Sequence, residues 1–273
     1  MPKLKVAGIQ MACVEERPKN LAKAVALGRL AAEHGARIIC YQQLFSTPWF
    51  PRERDPRHFA LAEGEEGPTL SALRPLAVET GATLVCPYFE QAPGGARYNT
   101  AAVIGPNGNL LGGYRKAHVP ELPLWEETYY FSPGDGGFPV FESQGLRFGV
   151  QLCWDNFFPE GTRRLALAGA ELVFAPNAAA FATTRRWETV LAANAIVNNL
   201  YVFRVNRVGR EQRQDFYGRS VCIDPEGEFL LPPSGMHDGV VLADVDPAAV
   251  RAVREEWSFL RGRRPELYRE EKG

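Results

Sequence analysis

Two rhythms of apolar positions alternate along the chain, one with the period of a buried strand and one with the period of a helix. Residues 5–10 read as a buried strand. Over about 18–34, Leu21, Val25, Gly28 and Ala32 share one face at helical spacing, and Gly35 supplies the stop. Arg37-Ile-Ile-Cys-Tyr41 is a short apolar strand that places Gln42 and Gln43 at a strand end. A second helix over about 69–80, stopped by Gly81, leads into the strand Thr83-Leu-Val-Cys86. A hairpin comes next: 101–104, the turn Pro106-Asn-Gly108, then 110–114.

The second half repeats this grammar. Gly169-Ala-Glu-Leu-Val-Phe174 echoes Gly35-Ala-Arg-Ile-Ile-Cys40, and a helix over about 184–199 feeds the strand Tyr201-Val-Phe-Arg-Val205. A second hairpin, 220–223 and 228–231 around Asp224-Pro-Glu-Gly227, matches the first. Two such halves predict an α/β protein with two sheets packed face to face and helices outside. No Ser/Gly-rich linker parts them, so we expect one domain over 1–273 with internal pseudo-two-fold symmetry. From Asp246, an N-cap followed by Pro247, one more helix and an irregular arm are expected.

Composition adds exclusions. The 273 residues are 45% hydrophobic and 23% charged, with a net charge of -1. A chain of this length needs no metal or disulfide staple. The one basic run is Arg261-Gly-Arg-Arg264, so nucleic acid and anionic membrane are not expected partners. No apolar run approaches the ~18 residues of a membrane span. The N-terminus has no signal-peptide pattern. Five cysteines, odd in number and without a CxxC pair, suit a reducing compartment and argue against a zinc site. A cytoplasmic location without metal or cofactor is expected.

Cys153 stands apart from the other cysteines. Phe148-Gly-Val-Gln-Leu152 reads as a strand, and Cys153 sits at its exit before Trp154-Asp155 and the helix opening Pro159-Glu160. A strand-to-helix turn exposes a nucleophile and aims backbone N–H groups at a developing oxyanion. Cys40, Cys86 and Cys222 lie inside apolar strands, the setting of inert core cysteines. His118 offers a Cys–His pairing, although no matching Asn context accompanies it.

Further motifs surround this cysteine. They are Tyr114-Arg-Lys-Ala-His-Val-Pro120, Glu127 ahead of Tyr130-Phe-Ser-Pro-Gly-Asp135, Cys153-Trp-Asp155, Phe216-Tyr-Gly-Arg-Ser220 and Phe259-Leu-Arg-Gly-Arg-Arg-Pro-Glu-Leu-Tyr268. In this order they resemble the nitrilase superfamily over essentially the whole chain, nearest its N-carbamoylputrescine amidase and aliphatic amidase branches. The resemblance implies a four-layer αββα sandwich and a Glu–Lys–Cys triad with a second supporting glutamate. Cys153 matches the nucleophile, Lys116 the lysine and Glu127 the second glutamate. It also implies a homodimer or larger homo-oligomer, in keeping with the apolar tail residues Trp257, Phe259, Leu260 and Tyr268. The implied substrate is a small amide, N-carbamoyl amine or nitrile.

One position departs from the family pattern. The general-base glutamate of the resemblance falls on Gln43, in Ile38-Ile-Cys-Tyr-Gln-Gln-Leu-Phe45. A glutamine amide does not take a proton near neutral pH, and loss of a general base costs about 10²–10⁴-fold in rate. An engineered change and a natural variant both fit, the latter as a slow enzyme or a silent ligand binder. Trp49, Phe50, Trp125 and Trp154 are candidates for the pocket wall. Arg185 and Arg186 begin a helix, where they suit either a solvated start or recognition of a substrate carboxylate. Cys153-Trp-Asp155 lacks the paired arginines of carbamoyl-D-amino-acid hydrolases. Thr128 replaces the lysine usual in the nearest branch, so diamine specificity is not carried over.

Overall fold

The computed structural model describes residues 3–180 and 183–268. The first half runs β1 (Leu4–Gln10), α1 (Arg17–Glu33), β2 (Ile38–Tyr41), α2 (Pro68–Thr80), β3 (Thr83–Gln91), β4 (Arg97–Ile104) and β5 (Leu110–Arg115). A small strand pair, β6 (Glu121–Leu122) and β7 (Trp125–Glu126), precedes the single-turn helix α3 (Glu127–Tyr130). The second half runs β8 (Phe141–Ser143), β9 (Leu146–Val150), α4 (Pro159–Leu167), β10 (Leu172–Asn177), α5 (Thr184–Asn198) and β11 (Tyr201–Asn206). The chain continues through β12 (Val208–Glu211), β13 (Gln214–Tyr217), β14 (Val221–Ile223), β15 (Gly239–Val245) and α6 (Pro247–Glu256).

The strands form two principal sheets, ordered β15-β1-β2-β3-β4-β5 and β14-β11-β10-β9-β8. In each, three central strands are parallel: β1–β2–β3 and β9–β10–β11. Parallel neighbours need a crossover, and α1, α2, α4 and α5 supply it. Antiparallel strands flank each trio, β15 and β4 in one sheet, β8 and β14 in the other. The repeat in the sequence is therefore the repeat of the sheets.

Alternation along the strands builds an αββα sandwich. Val6, Ile38 and Val85 from one sheet pack against Phe148, Phe174 and Phe203 from the other. The opposite face of the first sheet, with Ala7, Ile39 and Leu84, meets Leu21 and Leu73 from α1 and α2. Val173 and Val202 of the second sheet likewise meet Leu165 and Leu191 from α4 and α5. The hairpin expected over 220–231 forms as a short antiparallel pair. Its first arm is β14, and the return arm pairs with it through the Ile223–Phe229 bridge, with the Asp224 N–H donating to the Glu228 carbonyl at 2.9 Å and the Leu230 N–H to the Cys222 carbonyl at 3.0 Å. Pro232 and Pro233 come immediately after, and without N–H groups they cannot extend a ladder. At the tail Asp246 does cap α6, accepting the Ala248 N–H at 2.8 Å.

The sheets approach each other closely at Gly8. A Cβ there would lie 2.8 Å from Val205 Cγ2 and 3.2 Å from the Phe203 ring. Gly8→Ala should therefore push the layers apart and destabilise the fold by about 1–3 kcal/mol, the usual cost of overpacking. Urea unfolding monitored by circular dichroism measures it, and an unchanged midpoint would show that the sheets adjust freely.

Candidate active site

Loops leaving the carboxyl ends of β2, β9 and β10 and the end of β5 hold the residues singled out in the sequence. Cys153 opens a short 3-10 helix, Cys153–Phe157, just past β9. Its φ of 47° lies in the left-handed region, which costs a side-chain-bearing residue about 1–2 kcal/mol. Asn156 steadies the turn by donating to the Cys153 carbonyl at 2.9 Å.

Asp155 does most to hold this turn. Its carboxylate is fully buried. Oδ2 accepts the Leu152 N–H at 3.0 Å and the Tyr114 hydroxyl at 2.8 Å. Oδ1 accepts the His118 N–H at 2.9 Å and lies 2.9 Å from His118 Nδ1. The His118 ring also stacks on Phe158, centroids 3.7 Å apart. His118 is thus committed to Asp155, which argues against a Cys–His pairing.

Lys116 stands two residues before His118, so the same carboxylate fixes its segment. Its Nζ donates to Glu127 Oε2 at 2.6 Å, with both side chains fully buried. Asn99 Nδ2 donates to the same oxygen at 3.3 Å. Burial raises the Glu127 carboxyl above its usual range, while Lys116 and Asn99 pull it back. A buried lysine without such a partner would be strongly destabilising. The same environment pushes the Cys153 thiol up to about 11: burial dominates, Lys116 lowers it and Glu127 raises it. The Ala178 N–H, bonded to Cys153, also lowers it.

Gln43 lies just past β2 and is fully buried, yet neither of its side-chain polar atoms has a hydrogen-bond partner among the described residues. Its backbone is held from the other half of the chain. Arg207, also fully buried, donates through Nη2 to the carbonyls of Gln43 at 3.2 Å, Leu44 at 2.8 Å and Thr47 at 3.1 Å. Glu211 neutralises Arg207 at 2.6 Å. Leu44 packs in one aromatic-rich cluster with Ala178, the residue whose N–H reaches Cys153. The Gln43 turn and the Cys153 turn are joined through that cluster.

Cys153 lies in the wall of a cavity of about 450 Å³. Trp125, Trp154, Phe157, Trp187 and Ala179 are among the walls. Trp125 is fixed by its indole N–H, which donates to the Ala178 carbonyl at 3.1 Å. Trp49 and Phe50, expected at the pocket, are placed instead in the buried cluster with Phe89, Tyr130 and Phe131. Their apolar bulk is used in packing. Arg186 does line the cavity, whereas Arg185 is not part of its wall. Among the described residues, no group of three or more His, Cys, Asp or Glu is arranged to hold a metal ion. No helix among them is long and apolar enough to cross a membrane.

Sequence reasoning missed Asp155, Arg204 and Arg207. Asp155 had a signal in its place three residues after Leu152 at the start of a helical turn. The carbonyls that Arg207 holds and the rings around Arg204 lie far away in the chain, and contacts of that kind carry no local signal.

A cysteine on a strained turn beside a buried lysine–glutamate pair, facing an apolar cavity, is the equipment of nucleophilic attack on a carbonyl carbon. The chain belongs to the carbon-nitrogen hydrolase family, which it matches over residues 5–255. These are hydrolases of non-peptide carbon–nitrogen bonds. In sequence it is similar to the N-carbamoylputrescine amidase of Solanum lycopersicum, 35% identical over 97% of this chain and 93% of the relative. In structure it is similar to a carbon-nitrogen hydrolase from Helicobacter pylori G27, with TM-score 0.93 and 29% identity over 97% of each chain. It is also similar to a glutamate-to-glutamine variant of the amidase from Nesterenkonia sp. AN1, solved after Michael addition of acrylamide at its active-site cysteine. There the TM-score is 0.82 and the identity 29%, over 97% of this chain and 98% of that one.

Asp155→Asn tests the staple between the Lys116 and Cys153 segments. An amide in place of the carboxylate turns one acceptor into a donor facing N–H and O–H donors. The fold should lose about 2–4 kcal/mol, as expected when a buried, multiply bonded charge is removed. Denaturant unfolding reads the loss, and a change below about 0.5 kcal/mol, the range of ordinary surface substitutions, would show that the staple carries no weight.

Proposed function

We propose that this chain is a thiol amidohydrolase that cleaves small linear amides or N-carbamoyl amines through a thioester at Cys153, and that Gln43 slows it. The observation that carries this reading is the cavity wall where Cys153 sits under the electrostatic influence of the buried Lys116–Glu127 pair. The thiolate attacks the carbonyl carbon, a C–S bond forms, and the carbonyl electron pair moves onto oxygen. Lys116 and the Trp154 N–H, in the first turn of a helix and so without an intrahelical acceptor, are suited to hold that oxyanion. Collapse breaks the C–N bond and expels ammonia or an amine, which takes up a proton. Water then attacks the thioester, releasing the acid and restoring the thiol.

The weak point is the proton. Burial keeps the Cys153 thiol protonated near neutral pH, and Gln43 offers no base. Glu127 is engaged by Lys116 at 2.6 Å. The name of the tomato relative points to a carbamoylated diamine. No carboxylate among the described residues lines this cavity to meet a free ammonium, which argues against that substrate here.

Restoring the base is the direct test. Gln43→Glu is nearly isosteric, and it should raise ammonia release from short aliphatic amides or N-carbamoyl amines by about 10²-fold or more. Cys153→Ala serves as the blank. Equal turnover in both forms would place the base elsewhere, with Glu127 or Glu126 next in line. No turnover by either form on any C–N substrate would favour a silent ligand binder.

A second test needs no turnover. By analogy with the Nesterenkonia variant, acrylamide should add to Cys153, its sulfur bonding the β-carbon and a proton going to the α-carbon. A thiol titrating near 11 is mostly protonated between pH 7 and 9, so the adduct rate should climb about tenfold per pH unit there. Intact mass and peptide mapping monitor it. Preferential labelling of Cys40, Cys86 or Cys222 would count against Cys153 as the reactive thiol.

A further inference from the structure

We propose that the substrate ends in a carboxylate carried on an apolar body, selected by Arg186 at the cavity wall and Arg204 behind Trp187. The inference rests on the cavity beside Cys153 being the place where the amide binds. Among the described residues, Arg186 is the only charged side chain in the lining of that cavity, and no ion pair ties it. It stands in the first turn of α5, close to the N-cap Thr183, which also lines the wall. The positive end of a four-turn helix thus adds to its charge. The remaining walls are nearly all apolar, which suits a hydrocarbon spacer.

Arg204 makes an independent case. It lies on β11 and is fully buried. Its Nη2 donates to the Tyr217 hydroxyl at 2.5 Å. Its Nε reaches the Asn177 amide oxygen at 3.2 Å, in the orientation that satisfies both atoms of that amide. Nη1 has no acceptor, and no carboxylate pairs with the guanidinium among the described residues. Its Cζ is 5.4 Å from the centroid of the Trp187 ring, and Trp187 is itself a wall of the cavity. A full positive charge therefore stands one ring behind the binding surface, where little water screens it.

The flanking carboxylates do not cancel these charges. Glu188 is held by Arg219 at 2.6 Å, and Glu127 by Lys116. Glu121 and Glu126, on the strand pair whose Leu122 and Trp125 line the cavity, are both bound by Arg54. Arg54 neutralises only one of these two carboxylates, and Glu121 lies open to solvent, whereas Arg186 and Arg204 have no carboxylate partner among the described residues. A terminal ammonium entering the cavity meets like charge, and a carboxylate meets two guanidinium groups that no carboxylate among the described residues neutralises.

Binding, rather than turnover, is the readout, so the proton problem at Gln43 does not enter. Calorimetry on the Cys153→Ala protein compares three amides of equal length: the monoamide of glutarate (anionic), pentanamide (neutral) and 5-aminopentanamide (cationic). The anion should bind at least about tenfold tighter than the cation. Added salt should narrow the gap, because Arg186 is exposed, and Arg186→Glu should reverse the order. A cation that binds as tightly as the anion, or an order indifferent to Arg186→Glu, overturns the inference. If all three bind alike and the Gln43→Glu enzyme cleaves them, the amidase reading stands and only the charge selection falls. If none binds and none is cleaved, both fall together.

Discussion

The carboxylate of Asp155 is the constraint on which the site depends. One buried side chain gathers donors from β5, from the segment after it and from the turn after β9. These elements belong to different halves of the chain and to different sheets. Without a common acceptor, Lys116 and Cys153 would be positioned only by the packing of the sandwich, which tolerates shifts of a side chain's width more readily than chemistry does. A carboxylate with four contacts is well suited to the task, because its oxygens can take several donors at once. It also satisfies the Leu152 N–H at the very point where the backbone turns into the left-handed conformation of Cys153. Local strain is thereby offset next to where it arises.

That frame sets the charges around the thiol. Lys116 and Glu127 neutralise each other inside the protein, and Gln43 contributes nothing. A glutamate at position 43 would leave the surroundings of the thiol with an extra negative charge and a base to receive its proton. With glutamine there, the thiol answers mainly to burial, and Lys116 and the Ala178 N–H only partly offset it. On the reading proposed above, the arrangement would bind and polarise a carbonyl but leave the first proton without a base. Binding and turnover would then separate in this protein, and measuring one would not stand in for the other.

Much of this is legible in the sequence, and the failures have physical causes. The parallel trios are legible because fully buried strands are short apolar runs and their crossover helices carry a stop glycine, as at Gly35 and Gly81. The return arm after Asp224-Pro-Glu-Gly227 does pair with β14, but only as far as Leu230, because two prolines come next. That Cys153, Lys116 and Glu127 are brought near one another is in keeping with context and resemblance, which single out these three residues. Aromatic residues are not sorted correctly by type alone. Trp125 and Trp154 reach the cavity, while Trp49 and Phe50 fill the buried cluster. An indole prefers burial in either place, so composition cannot choose between wall and core. Arg204 reads only as a residue within a strand, because its meaning depends on Trp187, Tyr217 and Asn177.

The two buried arginines after β10 show how similar positions can serve opposite purposes. Arg207 is neutralised by Glu211 and spends its N–H groups on three carbonyls of the Gln43 turn. Its charge is cancelled and its geometry is used, so it acts as a clamp. Arg204, three residues earlier, has neutral partners and keeps one donor unspent. Burying a guanidinium with only a phenol, an amide and ring faces to receive it costs more than burying a paired one. Packing alone does not call for that cost, because an apolar residue of similar volume would fill the same space on β11. A charge held under such strain beside Trp187 makes sense if its field is used in the adjacent cavity, and the same field draws the Cys153 thiol toward ionisation. Selection of an anionic substrate and modest support of the thiolate would then be two effects of one buried charge.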